Sequence, residues 1–115
     1  MSSAEDKEYA TRSKSKPMSL EVLAQRVVVA NRQGLHARPA DIFAKKAAQF
    51  DSKIEVVKDG QRVDGKSILG VLTLVAEQGT ELSIEASGHD AQEAILALVE
   101  LIERFGSEDK ETSTE

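Results

Sequence analysis

The sequence predicts an α+β fold: an open-faced sandwich with a four-stranded antiparallel sheet and three helices on one face, in the order β-α-β-β-α-β-α. Three observations predict it. Hydrophobic spacing switches several times between the strand and helix periods, and each switch falls on a turn or cap signal. Two strand segments alternate polar and apolar side chains, which leaves one sheet face wet, as antiparallel sheets allow. The helical segments carry apolar stripes that must be buried against the other face.

Residues 25–30, with Val27, Val28 and Val29, read as a β-branched strand followed by the polar loop Asn31-Arg32-Gln33-Gly34. A helix beginning near His36 comes next. Ala40, Phe43, Ala44, Ala47 and Phe50 fall on one side of it, and Asp41, Lys45, Lys46 and Gln49 on the other. Ile54 and Val56 alternate with Lys53, Glu55 and Lys58, and Asp59-Gly60 turns the chain into residues 61–64 as a hairpin. Ser67 reads as the N-cap of a short apolar helix from Ile68 to about Leu74. Leu82, Ile84 and Ala86 alternate with Glu81, Ser83 and Glu85 in a last strand, and Asp90 with Glu93 forms an acidic variant of a capping box. The strongest periodic signal is Ala91, Ala94, Ile95, Leu98, Leu101, Ile102 and Phe105, a long helix expected to end at Gly106 as a C′ residue.

At 115 residues and 40% hydrophobic content the chain supports one core and one site. Residues 1–22 carry four acids, four bases and few large apolar side chains, so they are expected to be a flexible leader. Residues 107–115 hold four acids against one lysine and are expected to be a disordered acidic tail. The domain is then 23–106. A net charge of −5 and the absence of tryptophan argue against a nucleic-acid surface. No cysteine is present, which removes disulfides and thiolate chemistry and suits a reducing, cytoplasmic setting. No apolar run reaches membrane-spanning length, and the N-terminus lacks the hydrophobic stretch of a signal peptide.

The segment Gly34-Leu35-His36-Ala37-Arg38-Pro39-Ala40 places an imidazole and a guanidinium in the first turn of a helix. Helix starts leave backbone N–H groups without intrahelical partners and carry partial positive charge, so this is a place to hold a phosphate. Pro39 suits a first turn, where its missing N–H is not needed, and Gly34 supplies a positive φ or a close backbone approach. Imidazole is mostly neutral near pH 7 and can form a reactive phosphoryl bond, whereas a lone helix-start histidine would ordinarily do no chemistry. The combination with Arg38 and Pro39 reverses that expectation. His89 reads as an exposed turn residue without a companion at ligand spacing, and Asp41, Asp51 and Glu55 form no pair, so no metal site or cofactor is expected. Ile68, Leu69, Val71, Leu72 and Leu74 cover more than one side of a short helix, so some apolar surface should stay exposed beside His36.

This heptad strongly resembles the active-site segment of the HPr family, the histidine phosphocarriers of the bacterial phosphoenolpyruvate-dependent sugar phosphotransferase system. The resemblance extends through residues 64–72, through Glu77-Gln78-Gly79-Thr80 and through the last strand and helix, covering about 24–106 and leaving the leader and tail outside. It implies an HPr-like sandwich and a phosphoryl carrier that is no enzyme. His36 would take the group at Nδ1 from enzyme I and pass it to an EIIA domain of a sugar transporter, with Arg38 steadying the phosphate. Gly34, Ala37 and Pro39 would form the loop and helix start.

By the same resemblance Ser67 matches a serine that a kinase/phosphorylase modifies to slow transfer, and a transcriptional regulator is a further implied partner. Ile68, Leu69 and Leu72 would dock partners, with the carrier a monomer. The alternative is a regulatory or nitrogen-type phosphotransferase module that controls partners through its phosphorylation state. Retention of His36 argues against the catabolite-repression paralogues that work through the serine alone. An enzyme using His36 as nucleophile on a small substrate is disfavoured by the lack of a second acid–base group.

Overall fold

The computed structural model describes residues 21–113, with 109–113 as backbone alone. The expected leader lies almost wholly outside these residues. The strands are β1 (Leu23–Val28), β2 (Lys53–Lys58), β3 (Gln61–Asp64) and β4 (Glu81–Ser87), and the helices are α1 (Ala37–Ala47), α2 (Ile68–Thr73) and α3 (Ala91–Ser113). The sheet order is β1-β4-β2-β3, antiparallel throughout, with Leu23 opposite Ala86, Ile54 also opposite Ala86, and Lys58 opposite Gln61. The predicted element order and class hold. Asp59 and Gly60 both adopt positive φ, 48° and 84°, which matches the tight β2–β3 turn to the strand twist.

One face of the sheet is dry. Val27, Ile54, Val56, Leu82, Ile84 and Ala86 meet the stripe of α3 and the inner side of α1, where Phe43, Ala44 and Ala47 are buried. Complete burial of Phe43, Ile54, Leu82, Ile84, Leu98 and Ile102 makes each worth roughly 1.5–3 kcal/mol relative to exposure. The other face is polar. Arg62 on β3 reaches Glu55 of β2 at 3.0 Å and Glu85 of β4 at 2.6 Å, so one guanidinium links three strands. Its protonated form is favoured first by the hydrogen bond to Glu85 and then by that to Glu55.

Several expected boundaries move. The first strand is 23–28, not 25–30, although Val29 continues the pairing by exchanging backbone hydrogen bonds with Thr80 and Gly79. Phe50 lies beyond α1 and packs half-buried on the core from the following turn. The larger correction is at Gly106, which does not end the last helix; α3 continues to Ser113, so the tail expected to be disordered is helical that far. Gly106 serves close approach instead: a Cβ there would sit 2.7 Å from the Ala30 Cβ.

At the other end of α3, the Asp90 carboxylate accepts from the N–H groups of Asp51 and Ser52 and from the Ser52 hydroxyl. The expected reciprocal cap with Glu93 is not among the described hydrogen bonds. His89 is exposed as expected but has a partner, since its Nε2 donates to Asp51 Oδ2 at 2.9 Å. A loop before β2 is thereby tied to the turn before α3.

The loop that precedes α1 is fixed by backbone contacts. Gly34 has φ +66°, and a Cβ there would lie 2.2 Å from the Ala76 carbonyl oxygen and 2.9 Å from the Glu77 Cα. The Leu35 N–H donates to that same Ala76 oxygen at 2.9 Å. The Asn31 side-chain Nδ2 donates to the Gly34 carbonyl at 2.7 Å, closing the loop on itself.

Two outcomes are expected. Gly34→Ala should cost at least about 2 kcal/mol in denaturant unfolding, because left-handed strain adds to a backbone collision. Gly60→Ala, with φ +84° and nothing within 4 Å of the added Cβ, carries the strain alone and should cost about half as much. Equal costs would show that the Ala76 contact is unimportant. The second outcome concerns pH. Ser52 and then the Asp51 N–H hold the Asp90 carboxyl down at about 2 from 3.8, so its contribution is complete above pH 4 and lost as pH falls towards 2. Asp51, and then the charge of Asp90, raise His89 above 6.5, so that contribution is complete below 6.5 and lost as pH rises through the higher folded value. Asp90→Asn should flatten the stability profile between pH 4 and 2; an unchanged acid limb would count against the assignment.

Candidate functional site

His36 is the N-cap of α1, with φ −80° and ψ −166°, and its side chain makes no capping hydrogen bond. Its carbonyl starts the helix by accepting the Ala40 N–H at 2.9 Å, while the imidazole is exposed and left out of the helix's own bonding. Pro39 has no N–H, so the donors that the helix start leaves over are those of Ala37 and Arg38. The described backbone bonds include neither. Pro39 is buried, which pins this turn to the core, and Arg38 is exposed one residue before it. Imidazole and guanidinium line one open cavity, and the two N–H groups belong to the same helix start. That set can accept an anion bonded to the ring.

The site is a shallow cavity of about 330 Å³ lined by Asn31, His36, Arg38, Pro39, Ile42 and Phe105, with Glu108 completing the rim. Sequence reading missed Asn31 and Glu108. Asn31 lies in the loop that the sequence predicts to be polar, yet it is 6% exposed, and its Oδ1 is buried without a partner among the described residues. The signal for it was slight: an asparagine three residues before a glycine, a common loop-closing pair. Glu108 falls one turn beyond Phe105 on the α3 stripe, a position hidden by reading Gly106 as the end of the helix.

Ser67 is the N-cap of α2 as predicted, its hydroxyl accepting the Gly70 N–H at 3.0 Å. It is half-buried, and a Cβ on Gly70 would come 3.4 Å from its Oγ. The three residues expected to form a docking patch divide. Leu69 is 74% exposed and Ile68 lies at the surface, but Leu72 is half-buried and packs against the core. Val75, which sequence reading did not single out, is 60% exposed just after α2 and holds a positive φ of 51° unusual for a β-branched residue. Lys58 secures that turn by donating to the carbonyls of Leu74 and Val75 at 2.9 and 3.1 Å. α1 and α2 pack against each other, which brings the helix that carries Leu69 next to the helix that His36 begins.

Among the described residues, the group suited by type and proximity to a metal is Asp51, His89 and Asp90. Both Asp90 oxygens are already engaged with Ser52 and the Asp51 N–H, and His89 is paired with Asp51. These bonds tie the loop before β2 to the start of α3, roughly 20 Å along the helix from Phe105. Lys45 is paired with Asp41 at 3.3 Å on the wet side of α1. Among the described residues no helix is long and apolar enough to cross a membrane.

Residues 23–104 match the family described as PTS HPr component phosphorylation site. The phosphocarrier protein HPr of Neisseria meningitidis serogroup A is 41% identical over 87 residues, spanning 76% of this chain and 98% of that protein. The crystal structure of HPr-C-His from Thermoanaerobacter tengcongensis superposes with a TM-score of 0.71 at 42% identity, over 74% of this chain and 96% of that one. Crh, the catabolite repression protein of Bacillus subtilis, crystallised as a dimer with a swapped domain, matches with a TM-score of 0.59 at 40% identity over 70% and 92% of the two chains. With a family match across most of its length and an exposed histidine at the N-cap position of α1, the chain belongs to the HPr family of phosphocarrier proteins.

Proposed function

We propose that the chain is a phosphotransferase-system carrier in which His36 takes a phosphoryl group from phospho-enzyme I and passes it to an EIIA domain of a sugar transporter. The observation that carries this reading is the exposed His36 imidazole at the start of α1, uncommitted to capping and beside Arg38. The Nδ1 lone pair attacks phosphorus as the donor's N–P bond breaks, and the bonding pair stays with the donor nitrogen. Nothing is oxidised or reduced, and no metal or cofactor has a part. The nearly two negative charges gained are met by the Ala37 and Arg38 N–H groups and the Arg38 guanidinium. Helix-end stabilisation of about 0.3–1 kcal/mol holds the group without trapping it. A cytoplasmic, monomeric carrier fits this role.

Ile68 and Leu69 supply the apolar centre for docking both partners, with Leu72 supporting them from beneath rather than touching the partner. Ser67 is the regulatory position, a substrate for a serine kinase/phosphorylase whose product also engages a transcriptional regulator. A phosphate there sits at a helix start, so it obstructs docking by charge and bulk without unfolding α2. The likeness to Crh supports a second reading, a signalling module in which the phosphorylation state itself is the output. Phosphoryl transfer onward to an EIIA domain separates the two.

With enzyme I, magnesium and labelled phosphoenolpyruvate, the chain should acquire acid-labile label, and His36→Ala should acquire none; label that persists in the variant would sink the assignment. Ser67→Asp should lower transfer from enzyme I at least about tenfold while leaving the far-ultraviolet circular dichroism unchanged. Undiminished transfer would remove Ser67 from regulation.

A further inference from the structure

The loop that follows α2 holds one residue in a conformation its side chain disfavours. Val75 has φ +51°, the left-handed region that a helix end ordinarily gives to glycine and that crowds a β-branched side chain. Its side chain is exposed between buried Leu74 and buried Ala76, so packing of Val75 itself does not offset the strain. The hold comes from the sheet. Lys58, the last residue of β2, donates from Nζ to the Leu74 carbonyl at 2.9 Å and to the Val75 carbonyl at 3.1 Å. These two oxygens flank the strained Cα, so one ammonium fixes the peptide plane on each side of it while serving the end of α2, where carbonyls lack intrahelical partners. The next carbonyl along, that of Ala76, accepts the Leu35 N–H at 2.9 Å, and Leu35 directly precedes the His36 N-cap of α1.

We propose that Lys58 is a positioning residue for phosphoryl transfer: by holding Val75 at positive φ it places the Ala76 carbonyl that sets the loop before His36. The transfer part of this claim rests on the reading of His36 as phosphoryl acceptor. Lys58 does not line the His36 cavity, so it acts through the loop and not on the phosphoryl group. Without the ammonium, Val75 gains by turning to a negative φ, and rotation about that bond swings the peptide that carries the Ala76 oxygen. The far end of the same loop is tied independently. Val29 exchanges backbone hydrogen bonds with Thr80 and Gly79, and the Gln78 side chain donates to the Ala30 carbonyl at 3.0 Å. Loss of Lys58 therefore displaces the stretch that meets Leu35 and leaves the stretch that meets Val29 in place.

Amide hydrogen exchange, read by NMR on the unphosphorylated chain, tests the link to the loop. In Lys58→Met the Leu35 amide should exchange about threefold to tenfold faster relative to the Val29 amide. With enzyme I and phosphoenolpyruvate, kcat for phosphorylation of His36 should fall by a similar factor while KM for the chain changes by less than about twofold. Glycine takes a positive φ without help, so in a Val75→Gly background the same Lys58→Met change should alter either quantity by less than about twofold. Leu35 exchange that does not move relative to Val29, a faster Leu35 with unchanged kcat, a loss carried by KM, or an equal loss in the glycine background would each overturn the role of Lys58 and leave the acceptor reading standing. Absence of phosphorylation at His36 in the unsubstituted chain would overturn the acceptor reading, and the transfer claim with it.

Discussion

The Ala76 carbonyl oxygen is the contact on which the site depends. It accepts the Leu35 N–H and occupies the space that a side chain at position 34 would need, so the loop before α1 is locked to the loop after α2. Two consequences follow from one oxygen. His36 enters α1 with Leu35 buried immediately before it, and the loop that follows α2 is held against the loop that leads into α1. Glycine is required at 34 both for the positive φ and for this approach. The geometry around His36 is thus a property of two loops pressed together, with the sheet and α3 as the platform that holds them.

That arrangement suits a group that must be held loosely. Every charged or ionisable member of the cavity is exposed, and its partners are helix-start N–H groups and a guanidinium at a rim open to water. None of these interactions is individually large in such a setting. The rigid part of the site is what lies underneath: buried Pro39, buried Asn31 closing the loop, and Phe105 beneath α1 and the rim. Stability comes from the core, and the groups proposed to handle the phosphoryl group lie on the exposed face, so neither compromises the other.

Much of this was legible in the sequence because local rules and tertiary packing agree there. The His36–Arg38–Pro39 turn, the Ser67 cap and the α3 stripe each rest on residues whose preferred local conformation is the one adopted. What escaped reading depends on distant partners. Gly106 has the composition of a helix stop, yet its function is the approach to Ala30, 76 residues earlier in the chain. Asp90 looked like a cap for its own helix but serves the backbone of Asp51 and Ser52. Asn31 joins the cavity through a fold of the chain that periodicity does not describe, Glu108 continues the α3 stripe beyond the glycine that reads as its end, and Leu72 is half-buried against the core.

The central claim is that the start of α1 receives the phosphoryl group. Amide proton and nitrogen shifts of the chain, recorded by NMR before and after phosphorylation of His36, test it most directly. The Ala37 and Arg38 amide protons should move strongly downfield as they become donors to the phosphoryl oxygens, with the remainder of α1 little changed. Phosphorylation of His36 that leaves both amides where they were would contradict the account.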